Sequence, residues 1–128
     1  MLIVEDNLDY RAQIKEILCS HFPTVGVDEA GDAAEALRKI RENPPRVIIM
    51  DIRLPGESGL DLTKKVKDSH PEIEIVVLTN HDLPAYREAA RRYGARDFLS
   101  KDYATEEDIV RSVEAALPAF GVKPTKYI

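Results

Sequence analysis

Two hydrophobic patterns alternate along this chain: short continuous apolar runs, and longer stretches where apolar residues recur every three or four positions. The continuous runs are Leu2-Ile3-Val4, Val47-Ile48-Ile49-Met50 and Ile75-Val76-Val77-Leu78, the last within a strand reading of Glu72 to Leu78. Runs of this kind suit strands covered on both faces, where side chains pointing either way must be apolar. Residues 95–100 carry a further strand, and weak alternation over 24–29 reads as an edge strand. Between them lie helical stripes. Tyr10, Ile14, Ile17 and Leu18 mark a helix over 8–18, closed by Phe22-Pro23. Ala33, Ala36, Leu37 and Ile40 mark a second, opened by a capping box of Asp32 and Glu35 and stopped at Asn43-Pro44-Pro45. A third spans about 58–68 and is buried through Leu62 and Val66. The fourth runs from an Asp82 cap to Tyr93 and stops at Gly94. The fifth starts with a Thr105/Asp108 capping box, buries Ile109, Val113, Ala116 and Leu117, and ends at Pro118.

Five strands alternating with five helices predict an α/β three-layer sandwich with right-handed crossovers and a five-stranded parallel sheet in the order 2-1-3-4-5. At 128 residues the chain is one domain, over 1–118, followed by a tail over 119–128 without periodicity. The 23 acidic against 18 basic residues give a net charge of -5, which argues against direct binding of nucleic acid by this piece. No apolar run approaches the roughly 20 residues that span a membrane. The start, Met-Leu-Ile-Val-Glu-Asp, lacks the basic region of a signal peptide. Cys19 is alone and reads as a small buried filler, with no disulfide framework or zinc pattern. A cytoplasmic protein is expected.

Polar chemistry gathers where strands end. The first strand runs into Glu5-Asp6, the third into Asp51, the fourth into Thr79, and the fifth leads to Lys101. In a parallel sheet these exits share one edge, and the proposed order sets the first and third strands side by side at the switch point. Like charges ~4 Å apart cost about 4 kcal/mol at an effective dielectric near 20, so three clustered carboxylates call for a proton or a cation. Oxygen-only ligands favour a hard ion, Mg²⁺ first. Thr79 and Lys101 beside such a site form a receptacle for a second anion such as phosphoryl, with Asp51 as the nucleophile of an acyl phosphate. Glu5 and Asp6 would hold the metal, while Lys101 and Thr79 would contact phosphoryl oxygens.

These residues in this order resemble the receiver domains of two-component response regulators, of which the chemotaxis regulator is the simplest. The resemblance covers residues 1 to about 118. It rests on Glu5-Asp6, on Asp51 followed by Leu54-Pro55-Gly56 and Gly59, on Thr79, and on Phe98-Leu99-Ser100-Lys101. It implies a flavodoxin-like fold and a phosphorylation-activated switch. Asp51 would take a phosphoryl group from a phosphohistidine on a sensor histidine kinase or histidine phosphotransfer protein. Asp6, Asp51 and the main-chain carbonyl of Arg53 would contact Mg²⁺, with Glu5 acting largely through water. Phe98 matches an aromatic whose rotamer tracks Thr79, and the output would be a changed surface around the last two helices. Two departures stand out. Asp102 replaces the Pro that often follows the lysine, a Lys-Asp pattern that looks like receivers joined to helix-turn-helix DNA-binding domains. Asn80 replaces the usual Ala and, with Arg53, could crowd an attacking water.

Other classes fit less well. Aspartate-nucleophile phosphatases carry Asp-x-Asp after the first strand, whereas here Asp-Ile-Arg follows the third. Gly56-Glu57-Ser58-Gly59 imitates a hydrolase elbow, but Leu60 stands where the closing Gly belongs. An unphosphorylated receiver-like interaction module is the alternative, and it would be expected to have lost Asp51 or Lys101. Arg87, Arg91 and Arg92 opposite Glu106, Glu107 and Asp108 could support a homodimer, and a solvated helix face explains them equally well. The tail suits the start of a linker to an absent effector domain, through which DNA could be reached.

Overall fold

The computed structural model describes residues 1–117. The elements are β1 (Leu2–Val4), α1 (Leu8–His21), β2 (Asp28–Ala30), α2 (Ala33–Glu42), β3 (Val47–Met50), α3 (Gly59–Ser69), β4 (Glu74–Thr79), α4 (Pro84–Arg92), β5 (Asp97–Ser100) and α5 (Glu106–Ala116). All strand pairs are parallel, in the order β2-β1-β3-β4-β5. The expected α/β flavodoxin-like sandwich is the observed one.

Each central strand feeds two cores because successive side chains point to opposite faces. On one face Val4, Ile48, Met50, Ile75 and Val77 meet Ala36 and Ile40 of α2, Leu62 and Val66 of α3, and Ala90 of α4. On the other, Ile3, Val47, Ile49, Val76 and Leu78 meet Ile14 and Leu18 of α1 with Ile109 and Val113 of α5. This double coverage is why β3 and the 75–78 stretch of β4 read as unbroken apolar runs.

Several local expectations need correction. The edge strand is shorter than the expected 24–29 and lies later, over Asp28–Ala30, because β1 offers only Leu2 to Val4 to pair with. Cys19 is exposed. It follows buried Leu18 in α1, and one residue turns a helix by about 100°, off the inward stripe. Asp82 does not cap α4. The cap position is Leu83, without a side-chain bond, followed by Pro84. Asp82 is instead held by Arg87, Nε to Oδ1 at 2.7 Å and Nη2 to Oδ2 at 3.2 Å. Asp32 does cap α2, accepting from the Glu35 N–H, but the Glu35 carboxylate accepts from Gly31 rather than from Asp32 itself. The Thr105/Asp108 box is complete in both directions. Pro118 and the tail lie outside the described residues.

Candidate functional site

Asp51 follows the last residue of β3 and is 5% exposed; Glu5 follows the last residue of β1 and is 3% exposed. Since β1 and β3 are neighbours, with Val4 opposite Met50, the two carboxylates emerge side by side. Asp6, exposed, completes a cluster in which one oxygen from each of the three lies within 4.8 Å of the others. Lys101, just beyond β5, reaches into this group. Its Nζ donates to Glu5 Oε1 at 2.5 Å and to Asp51 Oδ2 at 3.1 Å. Its backbone N–H donates to the Thr79 carbonyl at 2.8 Å, which fixes the lysine's root against the end of β4.

The remaining oxygens are held by backbone. Asp51 Oδ1 accepts from the Ile52 N–H at 2.7 Å, and Glu5 Oε2 accepts from the Asn7 N–H at 3.1 Å. Asn7 caps α1, its side chain accepting from the Tyr10 N–H, so Asp6 is left free of capping duty. Asn7 is not among the residues expected at the site, although Asn just before a helical stripe is a strong N-cap signal. Gly59 opens α3 directly beneath the site. A Cβ there would sit 1.8 Å from the Asp51 carbonyl oxygen, and the Gly59 N–H donates to the Ile52 carbonyl at 2.7 Å. Only glycine lets α3 start this close to the strand end. In the intervening loop Gly56 takes a positive φ of 90°.

Burial is the main influence that pushes the Glu5 carboxyl above its ordinary range, and the Lys101 hydrogen bond opposes it. Burial alone would lower the Lys101 ammonium. The Glu5 and Asp51 carboxylates together outweigh it, so its pKa is raised. The site is therefore a buried ion triad, compact and anionic, with Asp6 at its open side.

The other expected residues lie around this centre. Thr79 is fully buried at the end of β4, its Oγ1 accepting from the His81 N–H at 3.2 Å. Phe98 sits on β5 opposite Val77, half-buried, with the Arg87 guanidinium 4.7 Å from its ring centroid and Arg87 Nη1 donating to its carbonyl at 3.3 Å. Arg53 is exposed in the loop after β3. Four of the six charges considered for a homodimer form ion pairs within the chain: Arg87 with Asp82, Arg91 with Glu88, Glu106 with His21, and Glu107 with Arg111.

A family model described as the response regulator receiver domain matches residues 1–114. The oxygen regulatory protein NreC of Staphylococcus carnosus (strain TM300) is 34% identical over 114 residues, which are 88% of this chain and 52% of that protein. The chain thus spans about half the length of the curated relatives it matches. The receiver domain of NtrX from Brucella abortus has a similar structure, with a TM-score of 0.82 at 32% identity, covering 91% of this chain and 96% of that one. A two-component response regulator of the LuxR family from Aurantimonas sp. SI85-9A1 gives a TM-score of 0.78 at 27% identity, covering 89% of this chain and 81% of that one.

Proposed function

Because this chain belongs to the receiver-domain family of two-component response regulators, we propose that it is switched by phosphorylation of Asp51. The observation that carries this reading is the shared ammonium: Lys101 bridges Asp51 and Glu5 in a buried site that Asp6 leaves open on one side. An Asp51 oxygen attacks the phosphorus of a phosphohistidine in line. The P–N bond breaks, its electrons stay on the imidazole nitrogen, and that nitrogen takes up a proton. Lys101 follows the charge from the carboxylate to a phosphoryl oxygen, and Thr79 donates its hydroxyl to another.

Asp6, Asp51 and the Arg53 carbonyl would be the donors for Mg²⁺, with Glu5 acting largely through water. An all-oxygen set with one side open to water suits that ion. Bound there, it would neutralise charge on the phosphoryl oxygens. Phe98 reports the state of Thr79 to the surface of α4, β5 and α5. The donor is a sensor histidine kinase or histidine phosphotransfer protein, and the setting is cytoplasmic; no helix among the described residues is long and apolar enough to cross a membrane. The domain is a phosphoacceptor and not an enzyme acting on other molecules.

Intact mass after incubation with acetyl phosphate tests this. A gain of one phosphoryl group is expected, dependent on Mg²⁺ and absent in Asp51→Asn. A wild type that gains nothing and forms no beryllofluoride complex would overturn the reading.

A further inference from the structure

Lys101 has a third neighbour besides its two carboxylates. The ring centroid of Tyr10 lies 4.4 Å from the Lys101 Nζ. We propose that Tyr10 is a positioning residue for the phosphorylation site, its π face holding the Lys101 ammonium between Glu5 and Asp51. The inference rests on the function proposed above and adds a residue that comes from α1, not from a strand exit.

The geometry is built rather than incidental. Asn7 fixes both ends of the arrangement: its side chain accepts from the Tyr10 N–H at 2.9 Å, and its own N–H donates to Glu5 Oε2 at 3.1 Å. The ring that covers the lysine is thereby tied to the carboxylate that the lysine binds. Tyr10 is half-buried against the α1/α5 core. A small, partly open crevice at the site has Tyr10 in its lining together with Glu5, Asp51, Ile14, Ile49 and Leu78. An ammonium over an aromatic face, with water displaced, is attracted by the ring quadrupole. The carboxylates pull Lys101 along the line between them; the ring limits its movement sideways. Burial, the largest influence on the phenol, raises its pKa, so the ring faces the ammonium as neutral tyrosine.

Tyr10→Phe keeps the π face and Tyr10→Leu removes it while keeping an apolar side chain in the core. With acetyl phosphate and saturating Mg²⁺, Tyr10→Phe is expected to be phosphorylated within about twofold of the wild-type rate, and Tyr10→Leu about three- to tenfold more slowly. The second readout is NMR of Lys101: ring-current displacement of its Cε protons, present in wild type and Tyr10→Phe and absent in Tyr10→Leu. Equal rates in wild type and Tyr10→Leu would overturn the proposal, as would equal losses in Phe and Leu or Lys101 protons that ignore the substitution. A wild type that is neither phosphorylated nor forms a beryllofluoride complex would overturn the function reading, and the positioning role with it, whatever the Tyr10 variants do.

Discussion

Replacing Lys101 by Met removes an ammonium that separates two buried carboxylates while keeping a side chain of similar length. Glu5 and Asp51 present oxygens within 4.8 Å of each other. Two unit charges at that distance repel by roughly 3.5 kcal/mol at an effective dielectric near 20. Removing one partner of a buried ion pair costs about 3–5 kcal/mol in general. The Lys101 side chain is 14% exposed, so some water reaches the site and the lower end applies, about 3 kcal/mol near pH 7. The penalty depends on pH with a definite sign. Burial already raises the Glu5 carboxyl, and the Lys101 hydrogen bond is what restrains it. Without Lys101 the folded value rises further above the unfolded one, about 4.3. Between the two values the folded state binds more protons than the unfolded, so stability falls as pH rises. The deficit of Lys101→Met is therefore small near pH 5 and grows toward pH 8. Urea unfolding of both proteins across that range measures it, and added Mg²⁺ should recover more stability in the variant than in the wild type. A variant as stable as wild type at pH 7, or a deficit unchanged between pH 5 and pH 8, would refute the reasoning.

Further outcomes are expected elsewhere. The raised Lys101 implies that its stabilising contribution is complete below the ordinary lysine range, about 10.4, and is lost as pH rises through the folded value; alkaline denaturation of wild type should be steeper than that of Lys101→Met. Gly59→Ala forces a Cβ onto the Asp51 carbonyl, so α3 must shift; a loss of at least about 2 kcal/mol by urea unfolding is expected, and a neutral variant would show that the helix start moves freely. Thr105→Ala removes the complete capping box of α5 and should cost about 1 kcal/mol in the same assay, with no change meaning that the cap is dispensable. Arg87→Gln takes the guanidinium off the Phe98 ring and should alter the Phe98 ring signals by NMR; unchanged signals would show that Arg87 does not restrain it.

The parts of this protein that the sequence displays most clearly are those governed by short-range rules. Unbroken apolar runs at Val47–Met50 and over residues 75–78 of β4 reflect a sheet covered on both faces, and the carboxylates at strand ends follow from that geometry. The strand order then brings Glu5 and Asp51 together from positions far apart in the chain. Other features depend on contacts that no local pattern encodes. Whether Asp82 caps α4 depends on Arg87, five residues later, which captures its carboxylate. The length of β2 is set by β1, not by its own alternation. Tyr10 reads simply as part of the inward stripe of α1. Its place over Lys101, 91 residues away, appears only when β5 delivers the lysine to the mouth of the site.

The central claim is that Asp51 accepts the phosphoryl group, and its location can be read chemically. Borohydride reduces an aspartyl phosphate to homoserine, which tandem mass spectrometry places in the sequence. After reaction with acetyl phosphate and Mg²⁺, homoserine at position 51 and at no other acid is the result predicted. Homoserine at Glu5's neighbour Asp6 or elsewhere, or none at all under conditions that phosphorylate the protein, would contradict the account.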